Sequence, residues 1–271
     1  LNTYLKYLFY SNAFIALSGG IYAFHDAIYH ETSYSWDGIV FLIAITWLSY
    51  QLPLINCFLI AKHKPSKAKD QWFIQHQKLM LTITFVGIIY AAFYFFKLQQ
   101  QQQCLVVILS LVSLAYVLPL QFQQYSLRNI PYLKALLIAC SWSALSVFWW
   151  QSIAHESWQT FLIRSLVILV IILPFDIKDQ AEDDAHQLKT LPMLIDAKQH
   201  KKLLFCLLGF ALAGCIILNT SIDEYLFIGI TAFALLFHNR KRNEYYYYFV
   251  LDGIFVLHGI SVFLSWQICQ P

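Results

Sequence analysis

An all-α, polytopic membrane fold is what this chain predicts, and three observations carry the prediction. Hydrophobic residues make up 59% of it and charged residues 12%, where soluble domains carry about 25% charged. Its apolar stretches are long enough to cross about 30 Å of hydrocarbon as helices. They run continuously apolar, without the alternation of outer-membrane strands, so helices fit and a barrel does not.

The candidate spans lie near 5–25, 38–61, 79–96, 104–121, 132–150, 160–175, 203–219, 225–238 and 245–266, about nine helices in a single domain over 1–271. The first is too long, and too polar at Asn12, for a simple cleaved signal. Gln99 to Gln103 read as a polar surface turn between the third and fourth spans, and Cys104 opens the fourth. Trp142, Trp149 and Trp150 of the fifth either line an apolar tunnel or pack against lipid and each other. The eighth is the shortest, bounded by Asp223, Glu224 and His238. Tyr245 to Tyr248 open the ninth, where amphipathic rings belong at the membrane interface. The cysteines show no CxxC pair or zinc spacing and read as reduced thiols.

With an inward amino terminus, 16 of the 18 basic residues fall on the inner side, leaving Lys97 and Arg164 for the other. The positive-inside rule therefore predicts a cytoplasmic amino terminus, an outward carboxyl terminus and location in the cytoplasmic membrane. The net charge of +3 follows from this bias and points to no nucleic-acid partner.

Ionisable residues within spans are costly and therefore informative. Asp252 reads either as a group facing a polar cavity or as a carboxyl paired with Lys134 or Asn12. His258 reads as a hydrogen-bonded core histidine. His25, Asp26, His30 and Glu31 form an outward cluster whose loose spacing argues against a metal.

Asp176, Asp179 and Asp183 stand at the inner end of the sixth span. If its helix continues through them, about 100° per residue places the three carboxylates within roughly 60° of one another. Like charges on one face repel. A divalent cation such as Mg2+, completed by water and substrate phosphate, would hold them together; an acidic, solvated loop is the bland alternative.

This D-x-x-D-x-x-x-D spacing, followed by Lys189-Thr-Leu-Pro, resembles the second aspartate-rich motif of the UbiA superfamily of intramembrane prenyltransferases. The likeness extends over essentially the whole chain, with nine spans and long second and sixth inner loops. It implies helices around a central apolar cavity, a polyprenyl diphosphate donor, Mg2+, membrane lipid and a hydrophobic acceptor of unknown identity. It implies metal ligation by Asp176, Asp179 and Asp183, and diphosphate binding by Asn12, Arg128, Lys178 and Lys189. Tyr116, which matches the tyrosine of the family's Tyr-x-x-Lys stretch, would orient the donor.

The chain also departs from the family pattern. The first aspartate-rich motif would fall near Tyr50-Gln-Leu-Pro-Leu54, where there is no carboxylate, and Pro119 replaces the lysine of Tyr-x-x-Lys. Lys62, His63, Lys64, Lys67 and Lys69 offer point charges in place of the missing metal site. Three readings follow: a prenyltransferase with a weakened first motif, a catalytically degenerate homologue that binds isoprenoid lipid or acts as a membrane scaffold, and an unrelated transporter. No internal repeat supports the last.

Overall fold

The computed structural model describes residues 3–29, 35–56, 68–117, 133–150, 154–185, 195–238 and 243–269. They form helices α1 (Thr3–Tyr10), α2 (Ala13–Tyr29), α3 (Trp36–Ile55), α4 (Ala68–Gln75), α5 (Gln77–Phe95) and α6 (Gln100–Val117). After these come α7 (Leu133–Trp150), α8 (His155–Ala185), α9 (Ala197–Leu218), α10 (Ile222–Leu236), a π-helical turn (Tyr246–Leu251) and α11 (Gly253–Cys269). No strand occurs among the described residues. Each expected stretch carries a helix. Of these, α3, α5, α7, α8 and α9 are long and apolar enough to cross a membrane, while α2 and α6 are shorter apolar helices.

The chain is an integral membrane protein, and its packing is that of one. Large apolar side chains such as Phe85, Phe93, Ile108, Leu111, Phe210 and Ile217 are exposed on the outside of the bundle, where lipid rather than water is their neighbour. Helix α8 is its axis. Val167, Ile168, Val170 and Ile171 are all buried, and four positions so close in sequence face several directions, as in a helix enclosed by others. It packs against α7, α9 and α10, while α2 packs against α3, α7 and α11.

Three local features differ from the expected spans. The first stretch is not one helix: Asn12 takes a left-handed φ of 64° and breaks it into α1 and α2. Asparagine tolerates that conformation better than most side-chain-bearing residues. The ninth begins with a π turn, in which the Asp252 N–H reaches the Tyr247 carbonyl, five residues back, at 3.3 Å. The glutamine run is more than a surface turn. It begins α6, and Gln101 and Gln102 donate to the carbonyls of Phe148 (2.9 Å) and Trp149 (3.2 Å), which satisfies orphan acceptors at the end of α7.

A buried ionic network joins α2, α8 and α10. Arg164 Nε donates to Glu224 Oε1 at 2.7 Å, and Nη1 donates to Asp26 Oδ2 at 2.5 Å and Ser146 Oγ at 3.3 Å. His25 Nδ1 lies 3.2 Å from Asp26 Oδ1, and Nε2 lies 3.9 Å from Asp223 Oδ1. Hydrogen bonding does not hold His258, contrary to expectation: its ring nitrogens find no partner among the described residues. It stacks instead, 4.3 Å from His25 and 4.3 Å from Phe227.

Removing one member of a buried ion pair leaves the other charge uncompensated, at a cost of about 3–5 kcal/mol. Arg164→Met is expected to lower the thermal midpoint of the detergent-purified protein sharply, and a midpoint equal to wild type would contradict the network's role. A Cβ at Gly259 would stand 2.5 Å from Ile21 Cγ2 and 2.7 Å from its carbonyl oxygen, whereas Gly229 has nothing within 4 Å. Small residues let membrane helices approach closely. Gly259→Ala should therefore destabilise by about 1–3 kcal/mol and Gly229→Ala should not, as thermal scans of the two would show.

Candidate functional site

The second polar region lies along α2 and α8 from the Arg164 network. Fourteen residues separate Asn12 from Asp26, about 21 Å of helix. Here the corner between α1 and α2 meets α3, α4, α8 and the π turn.

The left-handed corner turns backbone and side chain inward. The Ser11 carbonyl accepts from Trp47 Nε1 and Gln51 Nε2, both at 2.7 Å. Asn12 Nδ2 donates to the Tyr50 carbonyl at 3.3 Å, while Asn12 Oδ1 accepts from Lys69 Nζ at 2.5 Å. Gln51, within the stretch where a first aspartate motif would stand, thus holds the corner through its Nε2, while its Oε1 is buried without a partner among the described residues.

Lys69 belongs to α4, a short helix too polar to be a span. Its ammonium lies 5.4 Å from the centroid of the Tyr248 ring, and Lys178 Nζ of α8 lies 3.7 Å from the same ring. Lysines from separate helices therefore converge on one aromatic ring, an arrangement attractive to each cation although the cations repel each other. Asp179, Asp252 and Asp70 supply compensating negative charge. Asp252 is buried where the π turn ends and faces Lys69 and Lys178. Its expected partners are taken: Lys134 Nζ lies 3.0 Å from Asp176 Oδ1, and Asn12 holds Lys69.

Helix α8 does continue through the aspartates, to Ala185, so its backbone places Asp176, Asp179 and Asp183 along one face. Asp176 is buried and Asp179 half-buried. Of the residues expected at the site, Asn12, Lys178 and Asp179 are brought together, with Asp176 beside Lys134. Tyr116 is on α6 and Asp183 on α8, their side chains outside the described residues. Arg128 and Lys189 also lie outside them, as do His30 and Glu31 of the other cluster.

Whether these groups suit Mg2+ is decided by the donor set. Among the described residues no three potential ligands converge, and Lys134 competes for Asp176. Mg2+ needs only one or two carboxylates when water and substrate phosphates complete its shell. The Asp179 side of α8 fits one ion on that basis; on the Lys69 side Asn12 Oδ1 is taken by the ammonium, and Gln51 Oε1 is a buried amide oxygen without a partner among the described residues.

The fold has known counterparts. No family model matches the chain and no curated protein resembles it in sequence. A UbiA homologue from Archaeoglobus fulgidus bound to GPP and Mg2+ superimposes with a TM-score of 0.61 at 11% identity, over 95% of this chain and 99% of that one. The structure bound to DMAPP and Mg2+ gives 0.62 at 11% identity, over 96% and 99%. This chain has the UbiA fold. A digeranylgeranylglyceryl phosphate synthase is similar at 0.53 and 16% identity, over 98% of this chain and 100% of that one. Within this UbiA fold, the sequence pointed to Asn12, Lys178 and Asp179. It missed Tyr248, which reads as one interfacial ring among four, and left Lys69 undistinguished among its basic neighbours.

Burial pushes the Lys69 ammonium down from 10.5 to about 8, and Lys178 beside it adds to the shift against the pull of Asp252, Asp179 and Asp70. An unfolded chain binds this proton more tightly, so the cost of keeping Lys69 charged is present in full below about pH 8 and fades toward 10.5, where both states have lost it. The thermal midpoint of wild type relative to Lys69→Met should therefore rise as pH is raised from about 7 to about 10. A difference that falls over that range would contradict the burial of this charge.

Proposed function

We propose that this protein is a membrane prenyltransferase, moving a polyprenyl group from its diphosphate to a hydrophobic acceptor. The observation that carries the proposal is the convergence of Asn12, Lys69, Lys178 and Asp179 at one end of a UbiA fold. Solved structures of a UbiA homologue with that fold hold GPP or DMAPP together with Mg2+. The chain is taken as one domain, with its amino terminus and this site facing the cytoplasm, the orientation that its distribution of basic residues favours.

The chemistry follows from charge. Heterolysis of the allylic carbon–oxygen bond sends the electron pair onto the diphosphate and leaves an allylic cation. The half-buried ammonium groups of Lys69 and Lys178 would meet the negative charge as it accumulates on the diphosphate. Arg128 and Lys189 are proposed to extend this set, and Tyr116 to orient the donor. Asp179, with Asp183 one turn further along α8, would hold one Mg2+, which when bound supplies further positive charge to the leaving diphosphate. Asp176 would join them only by releasing Lys134. An aromatic compound, a quinone precursor or a lipid acceptor then attacks the allylic carbon and loses a proton. The isoprenoid chain is assigned to a central apolar cavity lined by aromatic rings.

A specific observation favours a second reading, that of an isoprenoid-binding or scaffold homologue without catalysis. The stretch 50–54 offers no carboxylate, and its Gln51 is bound to the Ser11 carbonyl. Titration of geranylgeranyl diphosphate into the detergent-purified protein, followed by assay for released diphosphate, separates the two. Wild type is expected to bind more tightly with Mg2+ than without it, and Asp179→Asn to lose that gain, about 10-fold or more for a charged contact. Binding without turnover across a panel of acceptors supports the second reading. Binding indifferent to Mg2+ and to the substitution removes Asp179 from the site.

A further inference from the structure

The donor-site reading leaves a question that the geometry answers: what neutralises the diphosphate on the side of α3 and α4, where the fold's first aspartate motif is absent. We infer that Lys69, held by Asn12, supplies that positive charge, and that no metal ion binds on this side. The inference rests on the proposal that a prenyl diphosphate binds here.

Three observations carry it. Lys69 Nζ is fixed by its hydrogen bond to Asn12 Oδ1 at 2.5 Å, and Asn12 is itself fixed by the break between α1 and α2 and by its bond to the Tyr50 carbonyl at 3.3 Å. The ammonium is thus placed by backbone structure. Oxygen donors for a metal are few around it: Asn12 Oδ1 is bound to the lysine, and the Gln51 amide, whose Nε2 donates to the Ser11 carbonyl at 2.7 Å, leaves a single neutral oxygen, Oε1, among the described residues. With Asp179 assigned to the ion on the α8 side, Asp70 and Asp252 are matched one for one by Lys69 and Lys178 and leave no net negative charge to draw a second divalent cation. Finally, Lys69 and Lys178 approach one ring, at 5.4 and 3.7 Å from its centroid. Like charges so placed are relieved by a multivalent anion that meets both.

The groups facing Lys69 are Lys178 and Asp179 of α8, Asp252 at the π turn, Asp70 of its own helix and the Tyr248 ring. A phosphate arriving among them exchanges one carboxylate-compensated lysine pair for a phosphate-bridged one. A lysine serves this purpose as a point charge on a flexible stem. Unlike a metal ion, it is present before the substrate arrives and stays after the product leaves.

The test is calorimetric titration of geranyl diphosphate into the full-length, detergent-purified protein, in Mg2+ and in excess EDTA. Wild type, Lys69→Gln, Lys69→Arg and Asp179→Asn are compared, each first shown to have a cooperative thermal transition. Alongside, Mn2+ is substituted for Mg2+ and its paramagnetic resonance is recorded in the complex. Measurable wild-type binding in EDTA is expected, weakened about 10- to 100-fold by Lys69→Gln in either medium, as for a lost charge-assisted hydrogen bond, and largely recovered by Lys69→Arg. The resonance is expected to show at most one Mn2+ per chain, without a spin-coupled pair. Lys69→Gln that binds as wild type does, or a coupled Mn2+ pair, overturns the inference and leaves the donor site standing. Absence of wild-type binding in both media, while the protein remains folded, overturns the donor site and the inference together.

Discussion

Arg164 is the residue on which the arrangement of the helices depends. In a membrane, helix packing gains little from burying apolar surface, because lipid is as apolar as the protein interior, so the bundle must be specified by groups that lipid cannot satisfy. A buried guanidinium between Asp26 of α2 and Glu224 of α10 does this with directional, charge-assisted bonds. It fixes how α2 and α10 sit around the central α8. The apolar contacts of Tyr22, Phe227 and Phe255 fill in beneath it. The close passage of α2 past α11 at Gly259 is then a consequence of two helices already held in register.

Because the same two helices carry the other polar region, the network also positions the candidate site. Asn12 begins the turn into α2 and Asp179 lies toward the far end of α8, so rotating either helix would separate Lys69 from Lys178. The two polar regions differ in character. At the Arg164 end, charges are matched within the protein and enclosed. At the Lys69 end, two ammonium groups face one another as well as their carboxylates, and the groups come from helices separated widely in sequence. One arrangement suits a fixed structural joint and the other suits an anion that comes and goes.

Much of this was legible in the sequence where periodicity or composition carries the information. Every apolar stretch carries a helix because nothing else satisfies backbone groups in hydrocarbon, and the aspartate spacing puts three aspartates along one face because α8 does run on through it. What was not legible depended on distance. Arg164 and Asp26 are 138 positions apart, and neither shows its partner locally. The contact of Lys69 with Asn12 depends on its place in α4, which apolar periodicity does not report. Asn12 was noticed as a polar residue in a span, but its backbone role required the Lys69 contact and the Ser11 carbonyl to be seen together. Lys134, one of the two partners expected for Asp252, pairs instead with Asp176 of α8, a contact that no local pattern shows.

The π turn at Tyr246–Leu251 has a consequence for how the two ends of the last helix can vary. A π turn accommodates one residue more than an α-helical turn within the same helix, so it resets the phase of the residues before it relative to those after. Tyr248 and Asp252 face the lysines, while His258 and Gly259 keep the phase needed to meet His25 and Ile21. In a regular helix, turning one of these sets would turn the other. With the extra residue between them, the binding end can be remodelled by substitution while the packing end keeps its faces, much as a swivel lets one end of a shaft be reset without loosening the other.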